Sequence, residues 1–326
     1  MRAYVIKRLL LMIPTLLIAS FLITVLAHLV PGDIVDAMQV AAGQDAPVDR
    51  AMIERALGLD VPLIVQYGRW LGVVPGANGS FQGVFQGNLG SSWYFDKSVV
   101  NLIGKAWPVT FELGIIGLII AQLIALPVGI FSALRQDHWG DYIARSFAIL
   151  CISVPGFWIG TMVIIFPSIW WGYMPPLALV HFTEDPIGNL KMFIIPAIIL
   201  GMAMSGLTMR MTRTMMLEVL RQDYIRTAWA KGLRERVVIM RHALKNALIP
   251  VITIIGTQVP VLIGGTVIIE NIFGLPGMGR LIFNATINRD YPLVTGVMFV
   301  FAAGLVLINL MVDLTYAYLD PRVQYK

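Results

Sequence analysis

Apolar residues in this chain form long, nearly uninterrupted stretches instead of alternating with polar residues. Six stretches reach about 20 residues or more, and a rise of about 1.5 Å per residue lets each cross a hydrocarbon core about 30 Å thick. In lipid each stretch must be helical, because a helix satisfies its own backbone polar groups. We therefore predict an all-α integral membrane protein with six transmembrane helices. The predicted spans are Leu9–Val30, Val109–Leu134, Ile143–Ile169, Phe193–Thr212, Leu248–Ile269 and Leu293–Tyr316.

The longest polar stretch, residues 31–107, separates the first two spans and predicts a small extracytoplasmic segment. Its first half contains DRAMIERALGL, in which Asp49 can cap the start of a helix and Gly58 its end. Its second half, VPGANGSFQGVFQGNLGSSW, is rich in Gly, Asn and Ser, which is typical of turns. The chain thus divides into residues 1–30 with the first span, the external segment 31–107 and a transmembrane domain over residues 108–326.

Composition and charge agree with a membrane location. The chain is 57% hydrophobic and 13% charged, with a mean hydropathy of +0.77, outside the range of soluble domains. Its net charge of +5 comes from basic residues at the N-terminus, after the second span and in residues 210–245. With six spans these regions share one side of the membrane, which the positive-inside rule makes cytoplasmic together with both termini. The distribution of charge thus indicates a multi-pass protein of the cell (inner) membrane that contacts lipid. We predict no nucleic-acid partner, because the membrane topology accounts for the basic residues.

The first span follows Arg2, Lys7 and Arg8, as the apolar core of a signal peptide does. Its apolar run is longer than the core of a signal peptide, and no small-x-small cleavage site follows it. We expect a membrane anchor.

The motifs of common enzyme classes are absent from the sequence. It contains no HExxH, GxSxG or CxxC, and its four histidines (His28, His138, His181 and His242) are scattered. The pair Gly104-Lys105 is followed by Ala106, so no Walker A phosphate cradle is present. We predict no catalytic, metal or cofactor site in this chain. If the protein uses ATP, another chain must bind it.

Only four residues are candidates for ionisable groups held within the bilayer, and all of them lie near predicted span ends: His28, Glu112, Glu270 and Asp313. Proton- or sodium-driven carriers hold such groups within the bilayer, whereas groups at helix ends cap helices or form pairs close to water. Capping or pairing is the favoured interpretation, and an ion-coupled carrier is disfavoured.

A basic segment, residues 213–247, separates the fourth and fifth spans. Downstream of Gly232, apolar residues recur at the spacing of one helix face and basic residues occupy the other. The apolar face consists of Val237, Met240, Leu244 and Leu248, and the basic face of Arg234, Arg241 and Lys245. Upstream, LEVLRQDYIRTAWAK predicts a second helix, and Gly232 lets the backbone turn between the two. We predict a bent helical hairpin, although the pattern alone favours a basic helix resting on anionic lipid.

Several segments together resemble one family, the permease subunits of ATP-binding-cassette (ABC) importers of the dipeptide, oligopeptide and nickel type. The hairpin reads DYIRTAWAKGLRERVVIMRHALKNALIP, which is similar to that subfamily's cytoplasmic loop, although only Ala228, Gly232 and Leu244 match the general form of the wider family. The other matching segments are PGD, LGLDVPLIVQYGRWL, GNLGSSW, SVPGFWIG, ENIFGLPGMGRLIFNATINRDYPLV and NLMVDLTYAYLDPRVQY. The stretch VVPGANGSFQGVFQ departs from the family, because it is longer and richer in glycine.

The resemblance implies a type I importer permease fold and a membrane-spanning subunit of an ATP-driven importer for peptides or related solutes. It implies no cofactor in this chain, since partner subunits bind the ATP. The implied partners are two ABC ATPase subunits, a second homologous permease and an extracytoplasmic solute-binding protein. The implied ATPase-coupling residues are Asp223, Tyr224, Arg226, Thr227, Ala228, Lys231, Gly232, Leu233 and Arg234. In this picture Gly232 allows the bend, Ala228 permits close approach, and the basic residues pair with carboxylates of the ATPase.

A second set of residues is a candidate gate or docking site for the binding protein: Gly274, Pro276, Gly277, Gly279, Arg289, Asp290 and Tyr291. Buttressing of neighbouring helices is an equal alternative for this set. Two other functions also stay open for the whole chain. One is a stand-alone channel or ion-coupled secondary transporter, and the other is a membrane-anchored scaffold without a transport role.

Overall fold

The computed structural model describes residues 2–29, 35, 50–76, 79–172, 176 and 178–319. The described chain is almost entirely helical, with one short pair of antiparallel strands, β1 (Ser91–Ser92) and β2 (Lys97–Ser98). The helices are α1 (Arg2–Leu29), α2 (Arg50–Leu57), α3 (Leu63–Leu71), α4 (Val99–Leu134), α5 (Trp139–Ser153), α6 (Gly156–Trp171), α7 (Pro186–Leu220), α8 (Asp223–Ala230), α9 (Glu235–Val237), α10 (Leu244–Phe273), α11 (Met278–Ile287) and α12 (Tyr291–Leu319). A 3₁₀ turn covers Val84–Gln86, and a π-helical segment, Val238–Ala243, joins α9 to α10.

The prediction of an all-α membrane chain is confirmed. In the described part of the chain, five helical stretches are long and apolar enough to cross a membrane, and counting bent helix pairs as spans raises the number to seven. The five are Arg8–Leu29, Val99–Leu134, Pro186–Leu220, Glu235–Pro260 and Tyr291–Val312. The count of six stays a prediction.

The third predicted span, Ile143–Ile169, is wrong as a single helix. The chain bends by 88° between α5 and α6. Proline disfavours the helical conformation in the residue before it, and Val154 accordingly has extended backbone angles (φ −84°, ψ 121°). Pro155 then caps the start of α6, where its missing N–H costs nothing. The apolar run of the sequence conceals this break.

The chain divides into two compact units, the first formed by residues 1–109 and 276–306 and the second by residues 110–275 and 307–326. In the first unit, the helix predicted in DRAMIERALGL is confirmed as α2. It ends at Gly58, which has a φ of +70°, and Leu59 N–H donates to Glu54 O at 2.8 Å. The proposed cap Asp49 lies outside the described residues. The turn-rich second half is confirmed, whereas α3 was not predicted.

Helix α7 is the central element of the second unit and contacts α5, α6 and α10. Asp185 caps its start by accepting hydrogen bonds from the N–H groups of Ile187 and Gly188 at 3.1 and 3.0 Å. Glycines on α7 let neighbouring backbones approach closely. A Cβ on Gly201 would lie 2.8 Å from Gly117 O on α4, and one on Gly206 would lie 2.7 Å from Ala148 O on α5. Small residues thus set the spacing of this helical core.

Candidate functional site

The predicted hairpin between the fourth and fifth spans is present, but shorter pieces form it. The single helix predicted over LEVLRQDYIRTAWAK is wrong, because α7 ends at Leu220 and α8 begins at Asp223. Between them Gln222 takes an extended conformation (ψ 150°) and its N–H donates to Val219 O at 3.1 Å. The hairpin therefore consists of α8, a turn at Gly232, α9 and the π-helical segment.

Gly232 has a φ of +74°, which confirms that it lets the backbone turn. Its N–H donates to Trp229 O at 2.9 Å and closes the end of α8. A Cβ at this position would meet no atom within 4 Å. The requirement for glycine is therefore conformational and not a matter of space, since residues with a Cβ rarely adopt this region.

The buried face of the hairpin differs in part from the predicted one, although Leu244 packs against the core as predicted. Val237 and Met240 were assigned to the apolar face, but they are 37% and 55% exposed. The face that packs inward consists of Ile225, Ala228, Val238, Ile239 and Ala243, against Ala133, Met216 and Ala247. The π-helical segment explains the difference, because its wider turns shift the positions that share a face. Ala228 therefore contacts the chain's own core. Its side chain is not exposed, so it is not placed for the implied close approach to a partner.

The other implied coupling residues are exposed: Asp223, Tyr224, Arg226, Thr227, Lys231, Gly232, Leu233 and Arg234. Arg226 pairs with Asp223 at 3.3 Å, and both side chains are largely in solvent, so the pair contributes little to stability. Asn246 Nδ2 donates to Tyr224 Oη at 3.1 Å, which ties α8 to α10.

Three large apolar side chains of the hairpin are exposed: Tyr224, Trp229 and Leu233 are 44%, 45% and 36% exposed. We call this set of residues the hairpin patch. Arg226, Lys231 and Arg234 flank it in the sequence. Aromatic and arginine side chains are enriched where proteins dock, with polar residues at the rim. Sequence reasoning missed Trp229, although an indole beside basic residues on a short amphipathic helix was a usable signal.

A buried ion pair lies near the base of the hairpin, and sequence reasoning missed it. Asp141, fully buried at the start of α5, accepts from Arg213 Nη2 and Nε of α7 at 2.6 and 2.8 Å. The same carboxylate accepts from Ser132 Oγ of α4 at 2.5 Å and from Asp137 N–H at 3.1 Å. Next to this anchor, Arg221 Nη2 donates to Gln136 Oε1 at 3.4 Å. The ends of α4 and α5 are thereby held against α7, the helix that leads into the hairpin.

The candidate gate residues differ in backbone conformation, burial and contacts. Gly274 ends α10 with a φ of +68°, and Arg289 has a φ of +56°. Asp290 is fully buried, accepts from Leu293 N–H at 3.3 Å as the cap of α12, and accepts from Tyr94 N–H at 3.2 Å and from Ser92 Oγ. Tyr291 is buried as well, whereas Pro276 is exposed and Gly277 and Gly279 are buried. Asp290 thus buttresses its unit, and the gate stays a prediction.

The ionisable residues of the spans follow a similar pattern where the structure describes them. Glu270 is fully buried and accepts from Thr110 Oγ1 at 2.7 Å, as expected for pairing near a helix end. Glu112 is half-buried, and the side chain of Asp313 lies outside the described part. Among the described residues, no group of three His, Cys, Asp or Glu side chains is placed to hold a metal ion.

Comparison with known proteins gives matches over the whole chain. Residues 125–325 match the family described as the binding-protein-dependent transport system inner membrane component, and residues 1–114 match the corresponding N-terminal family. The dipeptide transport system permease protein of Alkalihalophilus pseudofirmus is 38% identical over 346 residues, covering 100% of both chains. The glutathione transport system permease protein of Pectobacterium atrosepticum is 36% identical, covering 99% of each chain.

A solved structure supports the fold. A chain of a methionine ABC transporter in inward-facing conformations superimposes with a TM-score of 0.54 over 67% of this chain and 96% of its own length. At 15% sequence identity this likeness concerns the fold alone.

Proposed function

We propose, from the premise that this chain belongs to the family of inner-membrane components of binding-protein-dependent transport systems, that it conducts short peptides or related solutes in an ATP-driven importer. Family membership makes the chain a multi-pass ABC permease subunit. The solute class is supported by relatives that transport dipeptides and glutathione by name and align over nearly their full length.

The observation that carries the coupling role is the hairpin patch. Its side chains are exposed, while Ile225 and Ala228 of the same short helix are buried in the core of the second unit. A partner that grips the patch would therefore push on α4, α7 and α10 through packed side chains. Packed helices move as units because close-packed interiors do not deform continuously. We infer that the patch docks on an ATPase subunit.

ATP hydrolysis belongs to the partner subunits in this family, and we propose that this chain contributes no catalytic group and binds no cofactor. The sequence offers no phosphate cradle, so its energy input comes through contact. We further propose a second homologous permease, two ATPase subunits and an extracytoplasmic binding protein as partners. Both termini and the hairpin lie on the cytoplasmic side in this proposal, as the positive-inside rule requires.

Uptake of a labelled dipeptide into proteoliposomes tests the proposal. The assembled complex should accumulate dipeptide only with ATP and the binding protein present. Solute movement by this chain alone, without ATPase subunits, would instead identify a stand-alone channel or carrier. Unchanged uptake after deletion of the gene would support a scaffold.

A hinge variant tests the coupling role within the same assay. Gly232→Val imposes a strain of about 1–2 kcal/mol on the bent hairpin, because valine disfavours a positive φ. The bent conformation that docks on the ATPase should become about tenfold less populated, and the rate of uptake should fall by a similar factor. Gly172→Val is the matched control, because Gly172 ends α6 with a φ of +63° and also has open space around it. The control should insert normally and retain uptake. Equal uptake in both variants would remove the lever role.

A further inference from the structure

A cleft of about 180 Å³ lies within the first unit, away from the hairpin in the sequence. It is lined by the end of α1, the turn after α2, helix α3, Trp93 and the start of α12. Tyr291 of the candidate gate set is part of this lining, whereas none of the implied coupling residues is. The polar side chains that line the cleft include His28, Gln66 and Arg69, and no acidic side chain is among its described lining residues.

The imidazole ring of His28 forms part of the wall of the cleft. Its Nδ1 lies 2.8 Å from Thr24 O, and its Nε2 lies 3.1 Å from Gln66 Oε1. The orientation of the Gln66 amide is fixed, because its nitrogen donates to Val61 O at 2.8 Å. Both ring nitrogens of His28 therefore face carbonyl oxygens, and these two contacts hold the ring in place.

Arg69 brings a positive charge to the cleft. Its Nη1 lies against the turn after α2, 3.6 Å from where a Cβ on Gly58 would stand. Its Nε and the indole nitrogen of Trp70 are enclosed, and within the described residues neither has a hydrogen-bond partner. Donors and charges enclosed without partners are costly. A cleft that holds an arginine and, among its described lining residues, no acidic side chain is complementary to an anion.

Aromatic packing gives the cleft fixed walls. The ring of Tyr291 lies 4.7 Å from His28 and 5.7 Å from Trp93, centroid to centroid. Trp70 stacks on Tyr67 at 6.1 Å and meets Phe299 edge-on at 5.5 Å. Sites that enclose a drug-sized ligand measure about 300–1,000 Å³. The smaller cleft therefore suits one end of a solute, held by charge and framed by flat apolar surfaces.

We propose that this cleft binds an oxyanion end group, with the carboxylate of a short peptide as its main source. The phosphate of an anionic lipid headgroup has the same chemistry and is the other source. The choice of a peptide carboxylate rests on the proposed transport function, whereas the oxyanion site does not. Arg69 supplies the charge that recognises the ligand, and His28 lines the same cleft.

Binding to the full chain in nanodiscs of phosphatidylcholine tests the site without any ATPase. The probes are the dipeptide Ala-Ala and its C-terminal amide, which lacks the carboxylate, measured by calorimetric titration. The acid should bind at least about tenfold more tightly than the amide, since charge-assisted hydrogen bonds are the strong ones. Arg69→Gln should remove this preference, and Arg69→Lys should keep part of it.

Two further variants separate recognition from folding. His28→Gln removes the imidazole ring but keeps a hydrogen-bonding side chain, and should weaken binding of the acid several-fold. Arg55→Gln removes an exposed arginine of the same external segment and should leave binding unchanged. Equal binding of acid and amide, or equal losses in Arg55→Gln and Arg69→Gln, would overturn the inference.

Nanodiscs that also contain phosphatidylglycerol form the lipid arm. If this lipid competes with Ala-Ala only when Arg69 is present, both sources reach the oxyanion site. If the lipid raises the melting temperature in an Arg69-dependent way and Ala-Ala does not bind, the site is a headgroup site and the peptide assignment is wrong. Failure of ATP-driven uptake would leave these binding results intact, so the two proposals fail separately.

Discussion

Two fully buried aspartates, one in each unit, hold a loop against the start of a helix by different means. Asp141 faces the guanidinium of Arg213 and is charge-balanced, whereas the hydrogen bonds to Asp290 come from neutral groups: Ser92 Oγ and the N–H groups of Tyr94 and Leu293. Both lie in or next to a first helical turn, where negative charge is favoured. Removing the negative charge should therefore destabilise the protein far more at Asp141, because the guanidinium of Arg213 then has no counter-charge.

The largest expected effect comes from Asp141→Asn. It leaves a part-buried guanidinium without its counter-charge and should lower the free energy of unfolding by about 3 kcal/mol. Denaturant titration in micelles, followed by tryptophan fluorescence, measures this loss. Asp137→Asn changes an exposed neighbouring carboxylate and should stay within about 0.5 kcal/mol. Equal losses in the two variants would contradict the role of the ion pair.

Removing both charges sharpens the comparison. The double variant Asp141→Leu/Arg213→Met replaces the pair with apolar side chains and should recover about 2 kcal/mol relative to Asp141→Asn, because no unpaired charge remains. The same titration compares the two proteins. A double variant less stable than Asp141→Asn would show that the hydrogen bonds, and not the charge balance, stabilise this anchor.

The corresponding change in the other unit should be mild. Asp290→Ala loses the cap of α12 and should cost about 1–2 kcal/mol, whereas Asp290→Asn keeps an acceptor and should cost about 0.5 kcal/mol or less. Melting temperatures of the two variants provide the readout. If Asn and Ala are equally damaging, the charge of Asp290 has a role that the neutral donors do not reveal.

The smallest effects concern the two serines that donate to these carboxylates. Ser92→Ala should cost about 1 kcal/mol, because Ser92 Oγ also accepts from Phe95 N–H at 3.0 Å and that donor would lose its partner. Ser132→Ala removes one of several hydrogen bonds to Asp141 and should cost about half as much. Thermal unfolding of both variants side by side measures the difference. The reverse order would be evidence against this account.

The sequence predicted the long helices well, because an apolar run of about 20 residues has one structural solution in lipid. It failed where local geometry interrupts the run. The bend at Pro155 lies inside an uninterrupted apolar stretch, so hydropathy alone does not locate it. Helix α3, from Leu63 to Leu71, is short and lies between the predicted helix and the glycine-rich stretch, where no element was predicted.

The hairpin was predicted in outline, but not all of its inward face was. Gly232 was identifiable because glycine accepts a positive φ. The predicted inward face was right for Leu244 but wrong for Val237 and Met240, since the spacing argument assumed 3.6 residues per turn and the segment Val238–Ala243 is a π-helix. The pair of Asp141 and Arg213 joins residues far apart in the sequence, and no periodicity reports such a contact.

The π-helical segment also bears on the direction in which the hairpin points. A π turn holds one more residue than an α turn, so deleting a single residue from Val238–Ala243 would restore ordinary α geometry. Each residue of an α-helix advances the azimuth by about 100°, but the wider turn absorbs the extra residue, so everything upstream would keep nearly the same direction about the axis of α10. Deleting one residue from the α-helical part of α10 would instead rotate Tyr224 and Trp229 by about 100°. The wide turn therefore lets this segment hold one more residue without redirecting the exposed side chains of the hairpin.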